Sequence, residues 1–403
     1  LLMIQKNTYL LPNFIIRNIF EAKLTNIYLY SLLLSSIFIP YIDIFKPFHF
    51  SFIFLFLLFP LIISKSYLVF LKLITSSCAV YLIGIMYGLL ENQYLNITVF
   101  YAVLPIVFLV ISYKSTCLLC ITQKRIYYLL LIINIVLSFT ILLQILLPQF
   151  ALTKMLHIGS KSELISVLDR YIMIIYPMQN PNNAAFVLAI LVITNQLLYQ
   201  NVKKYKCLLI IISLVFLLGI ILAYARTVLV SFLIAEFIVL SNSMKKKYLV
   251  IILTLVITGL IYVCNSFDIT RYLTYYNTVF NAFEDNSFTE RFKFWHQYWL
   301  LIQNYPFVII SGYPIYKELF KINYNSTVVD SSYLHFLLNY GILSIFYILI
   351  WFIKKIVINP KTTIPLIIFL MITSITLPFV SDVRMVTLIG VIFGVLQSKN
   401  SNN

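Results

Sequence analysis

The sequence predicts an all-α polytopic membrane protein with about twelve transmembrane helices, and three observations carry that expectation. Hydrophobic residues make up 62% of the 403 and charged residues only 10%, a balance that no water-soluble domain of this size holds. The apolar residues fall in runs of about 20, the length a helix needs to cross a hydrocarbon core. Lys and Arg gather on alternate connections between those runs, which fixes an orientation.

Taken in order, the spans are expected at residues 24–42, 48–64, 67–90, 97–112, 126–147, 182–199, 207–224, 226–240, 248–264, 332–352, 363–380 and 383–396. The first lacks a small-residue cleavage site and is expected to be retained as an anchor. With the N-terminus cytoplasmic, the inner segments hold Lys6, Arg17, Lys23, Lys65, Lys114, Lys124, Arg125, Lys203, Lys204, Lys206, Lys245, Lys246, Lys247, Lys354, Lys355, Lys361 and Lys399. These are seventeen of the 29 basic residues, against six in the short outer segments, so both termini are placed in the cytoplasm. Connection 265–331 then becomes one long extracytoplasmic loop. Three regions follow: N-terminal helices over 1–147, a core over 148–355 that includes the loop, and C-terminal helices with a short tail over 356–403.

The formal charge of +16 is dispersed between apolar spans instead of forming one basic stripe, so orientation in a membrane explains it and nucleic acid does not. The five cysteines, Cys78, Cys117, Cys120, Cys207 and Cys264, lie in or beside spans. One C-x-x-C pair with no second pair and no nearby His is poor metal evidence, and all five are read as packing residues. No metal and no cofactor is expected.

All four histidines, His49, His157, His296 and His335, fall at or near the outer face with most of the acidic residues, which is also where water is. Within the long loop, Ser287-Phe288-Thr289-Glu290 has the form of a capping box, in which the Ser oxygen and the Glu carboxylate satisfy free amides at a helix start. From there Phe288, Phe292, Trp295, Trp299 and Ile302 recur at helical steps until Pro306 stops the run. This predicts an amphipathic helix lying on the membrane, with Arg291 and His296 on opposite flanks of its aromatic face and Lys293 turned toward water. An interfacial anchor whose Arg touches lipid phosphate explains the same pattern.

Arg226 stands between two strongly apolar stretches, 207–225 and 227–240, with almost no loop between them. A guanidinium there is costly unless it meets an anion or reaches outer water. Its planar fork gives two directed hydrogen bonds to phosphate oxygens, which suits a diphosphate. A tight hairpin whose Arg faces water is the simpler alternative. Arg384, two residues after Asp382 between the last two spans, is a further outer-face cation that an ion pair within the loop would account for. Glu236 lies inside a span, a few residues from Lys245–Lys247, and is expected to reach toward that end.

Three stretches together resemble the O-antigen polymerase and ligase family of surface-polysaccharide enzymes. The first is Asp169-Arg170 followed by Gln179-Asn180-Pro181-Asn182-Asn183; the second is Tyr224-Ala225-Arg226-Thr227. The third runs from Glu290-Arg291 through Trp295, Pro306 and Gly312 to Val329-Asp330-Ser331-Ser332-Tyr333-Leu334 and Tyr340-Gly341-Ile342. They cover residues 169–351 in the family's order, with the long outer loop where the family has it. Ligases of the family carry His in the slot held here by Asp330, so Asp330 looks more like the polymerase branch.

The resemblance implies a metal-free glycosyltransferase of the bacterial cytoplasmic membrane. Its donor and acceptor would be undecaprenyl-diphosphate-linked oligosaccharides, with membrane lipid and a chain-length regulator protein as further partners. Arg226, Arg170, Arg291 and Arg384 would neutralise the developing diphosphate. Asp330, or else His335 or His296, would take the proton of the incoming hydroxyl. Asp330 also stands just before a helix start, where Asp is a preferred cap. The rival readings are a lipid-linked oligosaccharide flippase and a ligase-type transferase. A flippase should show two similar halves and short outer loops, and this chain has neither visibly similar halves nor a short loop at 265–331.

Overall fold

The computed structural model describes residues 27–37, 98–118, 123–146, 181–223, 225–243, 331–358 and 360–397, together with 295–296, 298–300, 302–304, 306, 309–310 and 312. Among the described residues the chain is helical, with turns between helices and no strand. The helices are α1 (Ile27–Ile37), α2 (Thr98–Leu118), α3 (Gln123–Leu146), α4 (Pro181–Val202), α5 (Lys206–Leu222), α6 (Arg226–Ser243), α7 (Ser332–Ile358), α8 (Pro360–Thr373) and α9 (Val383–Gln397). Two stretches, Gln123–Leu143 and Asn182–Val202, are long and apolar enough to cross a membrane. The spans expected at 48–64, 67–90 and 248–264 lie outside the described residues.

Helix α4 is the centre of the bundle. It starts on Pro181, a residue whose fixed φ and missing N–H suit the first helical position. Nearly every side chain from Ala184 to Leu198 is buried, against α3, α5, α6 and α8. A short turn with left-handed Lys203 and Tyr205 reverses the chain into α5, and the Tyr127 hydroxyl donates to the Lys204 carbonyl across it. The expected basic connection at Lys203, Lys204 and Lys206 is therefore this hairpin.

Helix α9 packs on α2 more closely than side chains would allow. A Cβ added at Gly390 would sit 2.0 Å from Ser112 Oγ and 2.6 Å from the Leu109 carbonyl, and one at Gly394 would sit 2.5 Å from Thr116 Cβ. Gly390-x-x-x-Gly394 thus meets Ser112-x-x-x-Thr116, small residues on facing turns that let two backbones approach. Ser112 and Thr116 turn their hydroxyls back onto their own helix, at Phe108 O (2.6 Å) and Ser112 O (2.7 Å), which leaves the contact face apolar. The sequence reading missed this pair, although the G-x-x-x-G spacing was there to be read.

Two expected spans differ from what forms. Residues 332–352, expected as one helix, break at Gly341, whose φ of 72° and ψ of 177° only glycine adopts at low cost. Residues 363–380 begin earlier and stop sooner: α8 covers Pro360–Thr373, then a turn leads to a 3₁₀ turn at Phe379–Ser381. Pro378 removes the N–H that would have continued the helix.

Candidate functional site

One end of the bundle collects the starts of four helices around the end of α8. Arg226 is the first residue of α6, and the preceding Ala225 carbonyl accepts from Leu229 N at 2.8 Å, which makes Ala225 the cap. Beside it, Thr376 Oγ1 donates to Thr227 Oγ1 at 2.7 Å and ties the first turn of α6 to the chain just past α8. The start of α7 closes on that same chain. Ser332 N donates to Ser374 O at 2.9 Å, Ser332 Oγ to Leu377 O at 2.6 Å, and the Tyr333 hydroxyl to Met371 O at 2.8 Å. Carbonyls that the end of α8 leaves without intrahelical partners are satisfied by α7.

The start of α4 joins the same end. Phe186 stacks on Phe379 of the 3₁₀ turn, with ring centroids 4.9 Å apart and 22° between planes, and lies 5.4 Å from Phe369. From the 3₁₀ turn the chain passes directly into α9, where Asp382 caps the helix by accepting from Arg384 N at 2.8 Å. The Arg384 guanidinium pairs with the same carboxylate, Nη2 to Oδ2 at 2.8 Å and Nε to Oδ1 at 3.2 Å. Arg384 is 5% exposed. An anion would therefore have to compete with Asp382 for this cation, as the ion pair weighed in the sequence suggested.

His335 is 4% exposed. Asn339 Nδ2 lies 2.9 Å from His335 Nε2 and also donates to the His335 carbonyl at 3.0 Å. The second bond fixes the amide nitrogen as the donor, so Nε2 accepts and its lone pair is engaged. The cap of α7 is Ser331, whose carbonyl accepts from His335 N at 3.0 Å. The expected cap at Asp330 is thus corrected by one residue. Asp330, Arg170 and Arg291 lie outside the described residues, as do the capping box at Ser287–Glu290 and the aromatic positions Phe288 and Phe292.

His296 is exposed on a helical stretch that Pro306 ends in a turn. The face of that stretch turned to protein carries Tyr298 and Ile302, both buried, whereas Trp299 points outward at 54% exposure. Tyr298 was not on the aromatic face expected from the sequence. Beyond the turn, Ile310 and Gly312 press on the break in α7. A Cβ at Gly312 (φ +75°) would lie 2.4 Å from the Asn339 carbonyl carbon, and one at Gly341 would lie 2.0 Å from Ile310 O. The third sequence motif is thereby folded back on itself, Gly312 against Tyr340-Gly341.

Lys245–Lys247, toward which Glu236 was expected to reach, lie outside the described residues. Glu236 is buried beside the Gln196 side chain of α4. Among the described residues, no group of three or more His, Cys, Asp or Glu side chains is placed to hold a metal ion. No protein family, curated protein or solved structure matches this chain.

Proposed function

We propose that this chain is a multi-pass glycosyltransferase of the bacterial cytoplasmic membrane, a surface-polysaccharide polymerase that joins undecaprenyl-diphosphate-linked repeat units at the outer face. The observation that supports this reading is the meeting of its three sequence motifs. Pro181-Asn182-Asn183 begins α4, Ala225-Arg226-Thr227 begins α6, and Ser331-Ser332-Tyr333 begins α7. Phe186–Phe379, Thr227–Thr376 and Ser332–Leu377 tie those starts to one short segment. Motifs scattered over the sequence and gathered at one end of a bundle mark a shared task, and the only cation in the second motif is Arg226.

In the reaction, a hydroxyl of the incoming repeat attacks the anomeric carbon of the donor chain. The bond from that carbon to the diphosphate oxygen breaks, and the lipid diphosphate leaves with the electron pair. Arg226, with Arg170 and Arg291, neutralises the charge that grows on the leaving group. Asp330 takes the hydroxyl proton. His335 is the second choice for that role because Asn339 occupies its Nε2. Arg384 serves by holding the start of α9 through Asp382.

The test is the length distribution of the surface glycan when the gene is deleted and replaced by Arg226→Ala. Single repeat units on the cell surface are expected in both, with the variant protein still inserted, since losing one such cation can cost about 3 kcal/mol in the transition state. Long polymer stranded on the carrier lipid would point to a ligase instead. Absence of any repeat unit outside would point to a flippase.

A further inference from the structure

Among the described residues the acidic side chains are Asp382, paired with Arg384, and Glu236. Glu236 stands ten residues after Arg226 and seven before Ser243, about 15 Å and about 10 Å along the axis at the helical rise. It is 8% exposed. Among the described residues the helices packed on α6 are α4, α5 and α8, and none of them places a charged side chain in the turns level with Glu236. Their titratable or charged residues are Tyr199 in α4, Lys206 and Cys207 in α5 and Lys361 in α8, all in terminal turns, while Arg226 occupies the opposite end of α6 itself.

Among the described residues of those helices the carboxyl has neutral neighbours. Gln196 lies beside Glu236 and donates from Nε2 to Ser213 Oγ at 2.7 Å, and Ser213 Oγ donates onward to Leu209 O at 2.8 Å. Glu236 Oε1 and Gln196 Oε1 are both buried acceptors with no hydrogen-bond partner. An ionised carboxylate in this place would carry a full charge in a buried position with no hydrogen bond to its Oε1, a costly arrangement. One proton on the carboxyl removes the charge and supplies a donor where two acceptor oxygens lack one.

We propose that Glu236, Gln196 and Ser213 form a proton-binding site inside the bundle, in which a neutral acid links α4, α5 and α6. Gln196 is six residues from the end of α4, Ser213 seven from the start of α5 and Glu236 seven from the end of α6. All three therefore sit about two turns from the end that carries the basic hairpin, and the proton enters and leaves from that side. Hydronium gives the proton, one of its O–H bonds breaking as the carboxyl O–H forms and leaving water, and water takes the proton back by the reverse step. The site stands apart from the glycan-transfer reading.

Infrared spectra of the full chain in lipid nanodiscs test it. The difference between wild type and Glu236→Gln at pH 7 should show a protonated-carboxyl C=O band that belongs to the wild type, moves in D2O and fades at alkaline pH. Gln196→Leu removes the amide beside the carboxyl, so the frequency of the band should shift. If Glu236→Gln does not assemble, the same band is followed in wild type carrying 13C-labelled glutamate. Absence of a protonated band at pH 7 overturns the site. A band that vanishes when K+ is exchanged for Na+ makes the occupant a metal ion and also overturns it.

Discussion

Glycine brings backbone against backbone in two regions of this molecule, and comparing them separates two uses of the residue. Between α2 and α9, Gly390 and Gly394 are ordinary helical residues that supply only room. Where the segment at 309–312 meets α7, Gly312 and Gly341 supply room and a left-handed backbone together, at φ +75° and +72°. The first contact joins two regular helices along their length; the second exists only because one helix is broken. Crowding between regular helices can be relieved by sliding apart, whereas a forbidden backbone angle cannot be relieved by moving a neighbour.

Gly341→Ala should break the second region hardest. It adds strain of about 1–3 kcal/mol and a Cβ on top of Ile310 O, so the midpoint of thermal unfolding in detergent should fall and glycan length should collapse. Gly390→Ala should come next, at about 2 kcal/mol of overpacking, visible as a lower midpoint of thermal unfolding in detergent but with polymer of normal length. Equal loss of polymer in both variants would erase the distinction drawn here. Ser332→Ala is the mildest, near 1 kcal/mol for a carbonyl of Leu377 left without its donor, and a thermal midpoint unchanged from wild type would remove that bond from the account.

Much of this arrangement was readable along the chain because apolar run length and isolated charges are local signals. Arg226 falls where it was expected, at a helix start after a hairpin without a loop, since nothing but a turn fits between two such apolar runs. The Asp382–Arg384 pair was likewise legible, two residues apart. The break at Gly341 was not, because the apolar pattern of 332–352 runs through it unchanged and the cause, Ile310 and Gly312, lies thirty residues upstream. The surroundings of Glu236 were hidden for the same reason: the nearest charges in sequence are lysines, but the Gln196 side chain beside it lies forty residues away on another helix. Asp330 and Ser331 have similar capping preference, and only the carbonyl that accepts His335 N decides between them.

The docking of Gly312 on α7 has a consequence for the eighteen residues that follow it, because the next described residue, Ser331, is anchored on α8 by the same helix. That stretch is pinned at both ends, so its closure entropy is already spent by the native architecture. Doubling its length would add only about 0.6 kcal/mol. Divergence in the length of this connection can therefore accumulate without loosening the helix ends on either side, and a chain of this kind can vary it while its scaffold stays the same.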